Sequence, residues 1–290
     1  MGYPLLEENV GRYVCVNGTL VDSEGLAGLA LRTPVDDDAV YEVIRVVDGV
    51  PLFWEDHLAR LSASLHSAGL PQVDPSALAH DAALLVRELP LAVGNLRVVA
   101  TESMRVMHQR KHAYPAEETY WNGVAVGTMA WDRVKPGEKA VRPDYKKAVA
   151  AKLAQSGPFG RYYETLLVSS DGRVTEGSRS NAFFLDRATG ILRTTPDADV
   201  LLGVTRRHVL EAVRRAGVPL RQDAATASDV LAGRYAAVFL TGTSIGVLPV
   251  SSIEGRALAS ARDETIARIR TEYDRIVSEY IRDHRGGPTP

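Results

Sequence analysis

The chain is expected to fold as an α/β protein of the α+β kind, in two domains. Three observations predict this. Short β-branched and aromatic runs end in Asn-Gly or Asp-Gly pairs, the signature of tight hairpins. Between them lie amphipathic runs with acids near their starts and glycines at their stops, the pattern of packed helices. A polar, proline-bearing stretch from Ala113 to Trp121 interrupts the 290 residues and reads as a linker. A smaller domain is therefore expected over 1–115, a linker over 116–122 and a larger domain over 123–290.

Tyr13–Val16 reads as a strand entering a turn at Asn17-Gly18 and resuming at Thr19. The run AVYEVIRVV, Ala39 to Val47, is closed by Asp48-Gly49, a second hairpin signal. A helix begins near Trp54, with Glu55 and Asp56 in its first turn, Leu58, Leu61 and Leu65 on one face, and Gly69 as its stop. Pro75 and Ser76 open another helix, ended by Pro90, and Leu96–Thr101 returns as a strand. The second domain is expected to open with a strand over Gly123–Ala130. After a loop at Pro136-Gly137, two lysines are expected just ahead of a short amphipathic helix. An apolar strand, an Asp171-Gly172 turn and a strand carrying Glu176 follow. A short strand at Ile191-Leu192, a helix from Thr205 stopped by Gly217, a short helix capped by Ser228 and a strand over Tyr235–Leu240 come next. A long charged amphipathic helix lies after Gly255, and GGPTP at the end is expected to be disordered.

Apolar residues make up 45% of the chain and charged residues 24%, with a formal net charge of -2. That balance excludes a nucleic-acid footprint. Cys15 is the only cysteine, so an intramolecular disulfide and a cysteine-rich zinc site are excluded. No apolar run is long enough to span a bilayer, and no charged segment followed by an apolar run marks a signal peptide. A cytoplasmic location is expected.

Several residues could carry chemistry, each with a plainer alternative. Gly203-Val204-Thr205 and Thr241-Gly242-Thr243-Ser244 read as helix starts whose exposed N–H groups could bind phosphate; ordinary caps and turns use the same residues. His57 and Arg60 share a helix face, suited either to phosphate or to solvent. Lys146 or its neighbour Lys147 could form a Schiff base once deprotonated, although most lysines are simply exposed. Glu176, at the end of an apolar strand, needs a cationic partner if buried, and a protonated pyridine nitrogen would serve. Arg110 and His112, near the expected domain junction, could grip a carboxylate or form a basic solvated linker.

Together these pieces resemble the class IV, or fold-type IV, pyridoxal-phosphate aminotransferases, the family of D-amino-acid and branched-chain aminotransferases and aminodeoxychorismate lyase. VYEVIRVVDGVPLFWEDHLARLSASL is similar to the family's entry segment, and DYK followed by DGRVTEGSRSNAFFL to its lysine and glutamate region. LLGVTRRHVLEAVRRAGV and FLTGTSIGVLPVSSIEG are similar to its phosphate-binding turns. The resemblance covers nearly the whole chain and keeps the family's order.

It implies a two-domain fold with pyridoxal 5'-phosphate in the interdomain cleft, a homodimer, and ping-pong transfer between amino acids and 2-oxo acids. Lys146 would hold the cofactor covalently and shuttle the proton, and Glu176 would pair with the pyridine nitrogen. Arg60, Val204-Thr205, Gly242 and Thr243 would hold the phosphate, and Tyr41 matches an active-site aromatic. RKHAYP looks most like the Arg-x-His segment of D-amino-acid aminotransferases, which makes Arg110 and His112 substrate ligands.

Three departures stand out. Asp36–Ala39 replaces a glycine-rich approach, and the lysine-to-glutamate interval is short, which keeps Lys147 as an alternative. Arg179 stands where small residues are common and could bind a second carboxylate or restrict the pocket. The rival functions are a branched-chain L-amino-acid or amine transaminase, a lyase, and a catalytically inactive binding relative.

Overall fold

The structure, a computed structural model, describes residues 3–88 and 93–285. The helix stop at Pro90 and the closing GGPTP lie outside the described residues. Two compact units emerge: Met1–Ala113 with Glu138–Asp144 and Val277–Pro290, and Tyr114–Gly137 with Tyr145–Ile276. Among the described residues no helix is long and apolar enough to cross a membrane.

The first unit is built on strands β1 (Tyr13–Val16), β2 (Thr19–Asp22), β3 (Val40–Val47), β4 (Val93–Ala100) and β5 (Arg105–Arg110), with helices α1 (Trp54–Ala68) and α2 (Pro75–Glu88). The sheet runs β2-β1-β5-β4-β3, antiparallel throughout, with Val50–Pro51 at its edge. Both expected tight turns form. Asn17 and Gly18 have φ of 49° and 90°, Asp48 and Gly49 of 51° and 78°. Positive φ at both central positions gives the primed turn that matches the twist of a hairpin.

Helix α1 stops at Gly69, whose φ of 71° is left-handed and cheap only for glycine. Its buried residues Trp54, His57, Leu61 and Leu65 recur at helical spacing. Trp54, Leu61 and Leu65 pack with Ile44, Val46, Leu96, Val98 and Met107 from one face of the sheet. Directly paired residues share a face of a sheet. The pairs Tyr41–Val99, Val43–Arg97 and Arg97–His108 therefore put Tyr41, Arg97 and His108 on the opposite face, and Glu42 on the helix side.

The second unit holds α3 (Glu117–Asn122), β6 (Val124–Ala130), α4 (Pro143–Leu153) from Tyr145 on, β7 (Glu164–Val168), β8 (Val174–Gly177), β9 (Asn181–Asp186) and β10 (Leu192–Thr194). It continues with α5 (Val204–Arg215), β11 (Leu220–Gln222), α6 (Ala227–Ala232), β12 (Tyr235–Gly242), β13 (Gly246–Ile253) and, as far as Ile276, α7 (Glu264–His284). The sheet order is β8-β7-β6-β13-β12-β9-β10-β11, with parallel pairs at β7–β6, β6–β13 and β10–β11. Its core joins Val126, Leu166, Val174, Phe184, Leu240 and Leu248.

Some local expectations need correction. Glu117–Asn122, inside the stretch read as linker, is helical, and Tyr120 Oη donates to the Ile245 carbonyl at 3.0 Å. The lysines lie in the second turn of α4, not ahead of it, because Pro143 is tolerated in the first turn of a helix. The cap of α6 is Thr226, whose hydroxyl accepts from Asp229 N at 3.1 Å; Ser228 is already helical.

Candidate active site

In the first unit, β3 presents Glu42 to α1, where spacing places His57 and Arg60 on the buried face. Arg60 grips the carboxylate with two donors, Nε to Oε1 and Nη2 to Oε2, both at 2.7 Å. His57 Nδ1 lies 2.8 Å from Oε2. Glu42 is 0% and His57 2% exposed, so the alternative of a solvated helix face is excluded. Burial works against the charged carboxylate, but Arg60 and Lys139 outweigh it and hold Glu42 well below the usual carboxylate range. Burial pushes the His57 imidazole down, although Glu42 counters part of that effect. The expected phosphate ligand Arg60 is thus a guanidinium whose plane Glu42 sets.

On the other face of this sheet the half-buried ring of Tyr41 meets two cations. Arg97 Cζ is 5.5 Å and Lys139 Nζ 5.3 Å from the ring centroid. Lys139 is brought there by the backbone bond from Tyr41 N to its carbonyl, at 3.0 Å. Arg97 is 3% exposed; among the described residues its Nε and Nη1 have no hydrogen-bond acceptor, and Glu7 Oε2 lies 3.6 Å from Nη1. Sequence reasoning passed over Arg97 because it sits within an apolar strand run. Arg110, at the end of β5, is paired with Glu8, Nη2 to Oε2 at 2.8 Å, and His112 lies exposed beyond the strand.

In the second unit, β8 delivers Glu176, 2% exposed, to a set of donors. Arg133 Nε lies 3.0 Å from Oε1, Asn181 Nδ2 donates to Oε2 at 3.3 Å, and Leu201 N reaches the same oxygen at 3.3 Å. Asn181 also donates to the Leu201 carbonyl at 3.0 Å. It therefore ties the Glu176 strand to the loop that opens α5. At the N-cap of α5 stands Gly203, where a Cβ would collide with Asn181 Oδ1. Among the described residues no side chain caps this helix start, and Val204 and Thr205 occupy its first turn. Such a start presents unsatisfied N–H groups and the positive end of the helix dipole.

Asn181 pairs across the sheet with Thr241, whose buried Oγ1 has no hydrogen-bond partner among the described residues. Thr241-Gly242-Thr243-Ser244 is not a helix start as expected but the end of β12 and the turn of the β12–β13 hairpin, where Gly242 faces Gly246. The sequence EGSRSN folds back so tightly that a Cβ on Gly177 would collide with Ser180 Oγ. Glu164 of β7, another residue that sequence reasoning missed, supports this loop. Its carboxylate accepts from Arg179 N at 3.2 Å and from the Ser180 hydroxyl at 3.2 Å, and Ser178 Oγ also bonds to it. Arg179 sends its guanidinium outward, with the side chain 61% exposed and Nη2 donating to the Tyr163 carbonyl at 2.8 Å.

Lys146 and Lys147 are both exposed on α4. Tyr145, immediately before them, donates from Oη to the Ser178 carbonyl at 2.7 Å, and burial raises its phenol above the ordinary value. One hydrogen bond therefore links the lysine helix to the loop that follows Glu176.

The second unit thus joins Glu176, the Val204-Thr205 helix start and the Thr241–Ser244 turn through Asn181. The first unit separately holds Tyr41, Arg60 and Arg110.

Residues 39–253 match the family model described as amino-transferase class IV. A D-alanine aminotransferase of Bacillus licheniformis is 29% identical over 275 residues, covering 85% of this chain and 90% of that protein. A putative branched-chain-amino-acid aminotransferase of Methanocaldococcus jannaschii is 27% identical, covering 76% and 80% respectively. Among solved structures, the branched-chain aminotransferase of Thermoproteus uzoniensis with norvaline superposes with a TM-score of 0.76 at 23% identity, covering 93% of this chain and 97% of that one. A hypothetical aminotransferase of Mycobacterium tuberculosis in its PLP-bound form superposes with a TM-score of 0.73 at 20% identity, covering 92% and 99%.

The residues present fit pyridoxal phosphate. A buried carboxylate paired with a guanidinium can receive the N–H of a pyridinium ring, and an uncapped helix start behind a glycine can receive a phosphate. The buried Thr241 hydroxyl beside them lacks a partner among the described residues. On its sequence and fold, the chain belongs to the class IV aminotransferases and is a pyridoxal-phosphate-dependent transaminase.

Proposed function

We propose that the enzyme moves an amino group between an amino acid, with D-amino acids favoured, and a 2-oxo acid, and that it does so as a homodimer. The observation that carries the site assignment is the connection through Asn181. It links the buried carboxylate Glu176 to the uncapped start of α5, in the unit that also bears Lys146. The D-preference is supported by the Arg110-x-His112 segment and by the similarity to D-alanine aminotransferases.

The bound cofactor supplies an electron sink for charge developing at the substrate's Cα. Around it, each residue has its own task. Lys146 Nζ would hold the cofactor covalently and serve as the group that moves the proton at the substrate Cα. Glu176 would pair with the protonated ring nitrogen. The N–H groups of Val204 and Thr205, the Gly242-Thr243 turn and Arg60 hold the phosphate, and Glu42 keeps Arg60 charged and oriented. Tyr41, Arg110 and His112 face the substrate, with the two basic residues gripping its α-carboxylate. Arg110 must then exchange its bond to Glu8 for the substrate. Arg179 would either meet a second carboxylate or restrict the pocket.

Half-reactions with D-alanine, L-alanine, D-glutamate and L-leucine, followed by the cofactor's absorbance, test this reading. Conversion with the D-amino acids is expected. Activity confined to L-leucine would overturn the D-preference and favour the branched-chain alternative. Purified protein that shows no absorbance change with any donor would favour an inactive relative.

A further inference from the structure

We infer that Arg133 is a positioning residue for the cofactor: it holds Glu176 ionised and aimed at the ring nitrogen of pyridoxal phosphate. The inference rests on the assignment of Glu176 to that nitrogen. No motif pointed to Arg133. It lies in the segment after β6, and the fold alone brings it to Glu176, with Nε 3.0 Å from Oε1. Its side chain is 22% exposed while that of Glu176 is 3% exposed, so the ion pair reaches inward from the surface to a buried carboxylate.

A second contact gives the guanidinium its direction. Arg133 Cζ lies 5.6 Å from the centroid of the Tyr145 ring, and the Trp131 ring packs on Tyr145 at 5.2 Å. Tyr145 precedes Lys146 and is itself fixed by its bond to the Ser178 carbonyl. One side chain therefore touches both the carboxylate proposed for the ring nitrogen and the residue next to the lysine proposed for C4′.

The physical case is one of charge. A buried carboxylate with no cation is costly, and the ring nitrogen is a partner only while the cofactor is bound. Arg133 pairs the carboxylate in either state. With the cofactor in place, a carboxylate that already binds a guanidinium is a weaker base. The shared proton then stays on the ring nitrogen, and the ring remains electron-poor.

The test compares R133M, R133K and E176Q with the parent enzyme. Affinity is read by titrating cofactor-free protein with pyridoxal phosphate, and the pH dependence of the bound cofactor's absorbance is recorded. R133M is expected to weaken binding by about tenfold and to move the pH midpoint, because a cation beside the cofactor has gone. R133K is expected to restore most of the midpoint. R133Q serves as the neutral variant if R133M does not fold. A neutral variant with unchanged affinity and midpoint would overturn the inference, even if its melting temperature fell, since that pattern marks a purely structural ion pair. If E176Q also leaves both unchanged, the ring-nitrogen assignment fails and takes this inference with it. If E176Q changes both and the neutral arginine variants do not, this inference alone fails.

Discussion

Glu42 shows how a buried charge becomes a structural element. With no exposure and the paired donors of Arg60 upon it, it stays ionised below the ordinary carboxylate range. E42Q keeps the shape but strands Arg60 without its counter-charge, so a loss of about 3–5 kcal/mol is expected from urea unfolding. The depressed pKa also sets a pH window. The stabilisation is complete above the carboxylate's unfolded pKa and drains away as pH falls below it toward the folded value. Acid unfolding of the parent should therefore be steeper than that of E42Q, measured by circular dichroism below about pH 4.5. At Lys146, K146A is expected to abolish cofactor trapped by borohydride while K147A retains it; the reverse result would move the assignment to Lys147. Spacing alone placed His57 and Arg60 on one helix face. That this face is buried on a carboxylate was not legible, because the residue that buries it lies on another strand.

The start of α5 is the element most exposed to a single change. G203A would push a methyl group into Asn181 Oδ1, well inside van der Waals contact. Backbone or amide must then shift, and the helix start moves with them. G203A is expected to weaken pyridoxal phosphate binding by about tenfold in a fluorescence titration, roughly the worth of one charge-assisted hydrogen bond. Unaltered binding would show that the loop adapts. Hairpins and helix stops were readable from sequence because Asn-Gly, Asp-Gly and glycine stops act through their own φ angles. The Thr241–Ser244 turn was misread as a helix start because glycine and hydroxyl residues suit both. Only its pairing with Gly246 decides for the hairpin. The helix over Glu117–Asn122 was missed for a similar reason: it is short and polar, and it is tied down by Tyr120 rather than by propensity.

For the whole molecule, occupancy of the site should register as stability. Pyridoxal phosphate at a hundredfold excess over its Kd is expected to stabilise the folded protein by about 2.7 kcal/mol, seen as a rise in melting temperature. E176Q and G203A should shrink that rise; a full rise in both would argue that the cofactor binds elsewhere. The α+β class, most strands and helices, the family and the cofactor were within reach of the sequence alone. Hydrophobic periodicity and turn chemistry act over a few residues, and four motifs in a fixed order are seldom accidental. The tertiary structure decided which side chains meet: Glu42 with Arg60 and His57, Arg97 and Lys139 around Tyr41, Arg133 on Glu176, and Asn181 joining that carboxylate to α5. A lysine and a carboxylate on one stretch of chain can be noticed by eye. The guanidinium and the donors that surround that carboxylate come from distant segments of the chain, and only the tertiary fold brings them together.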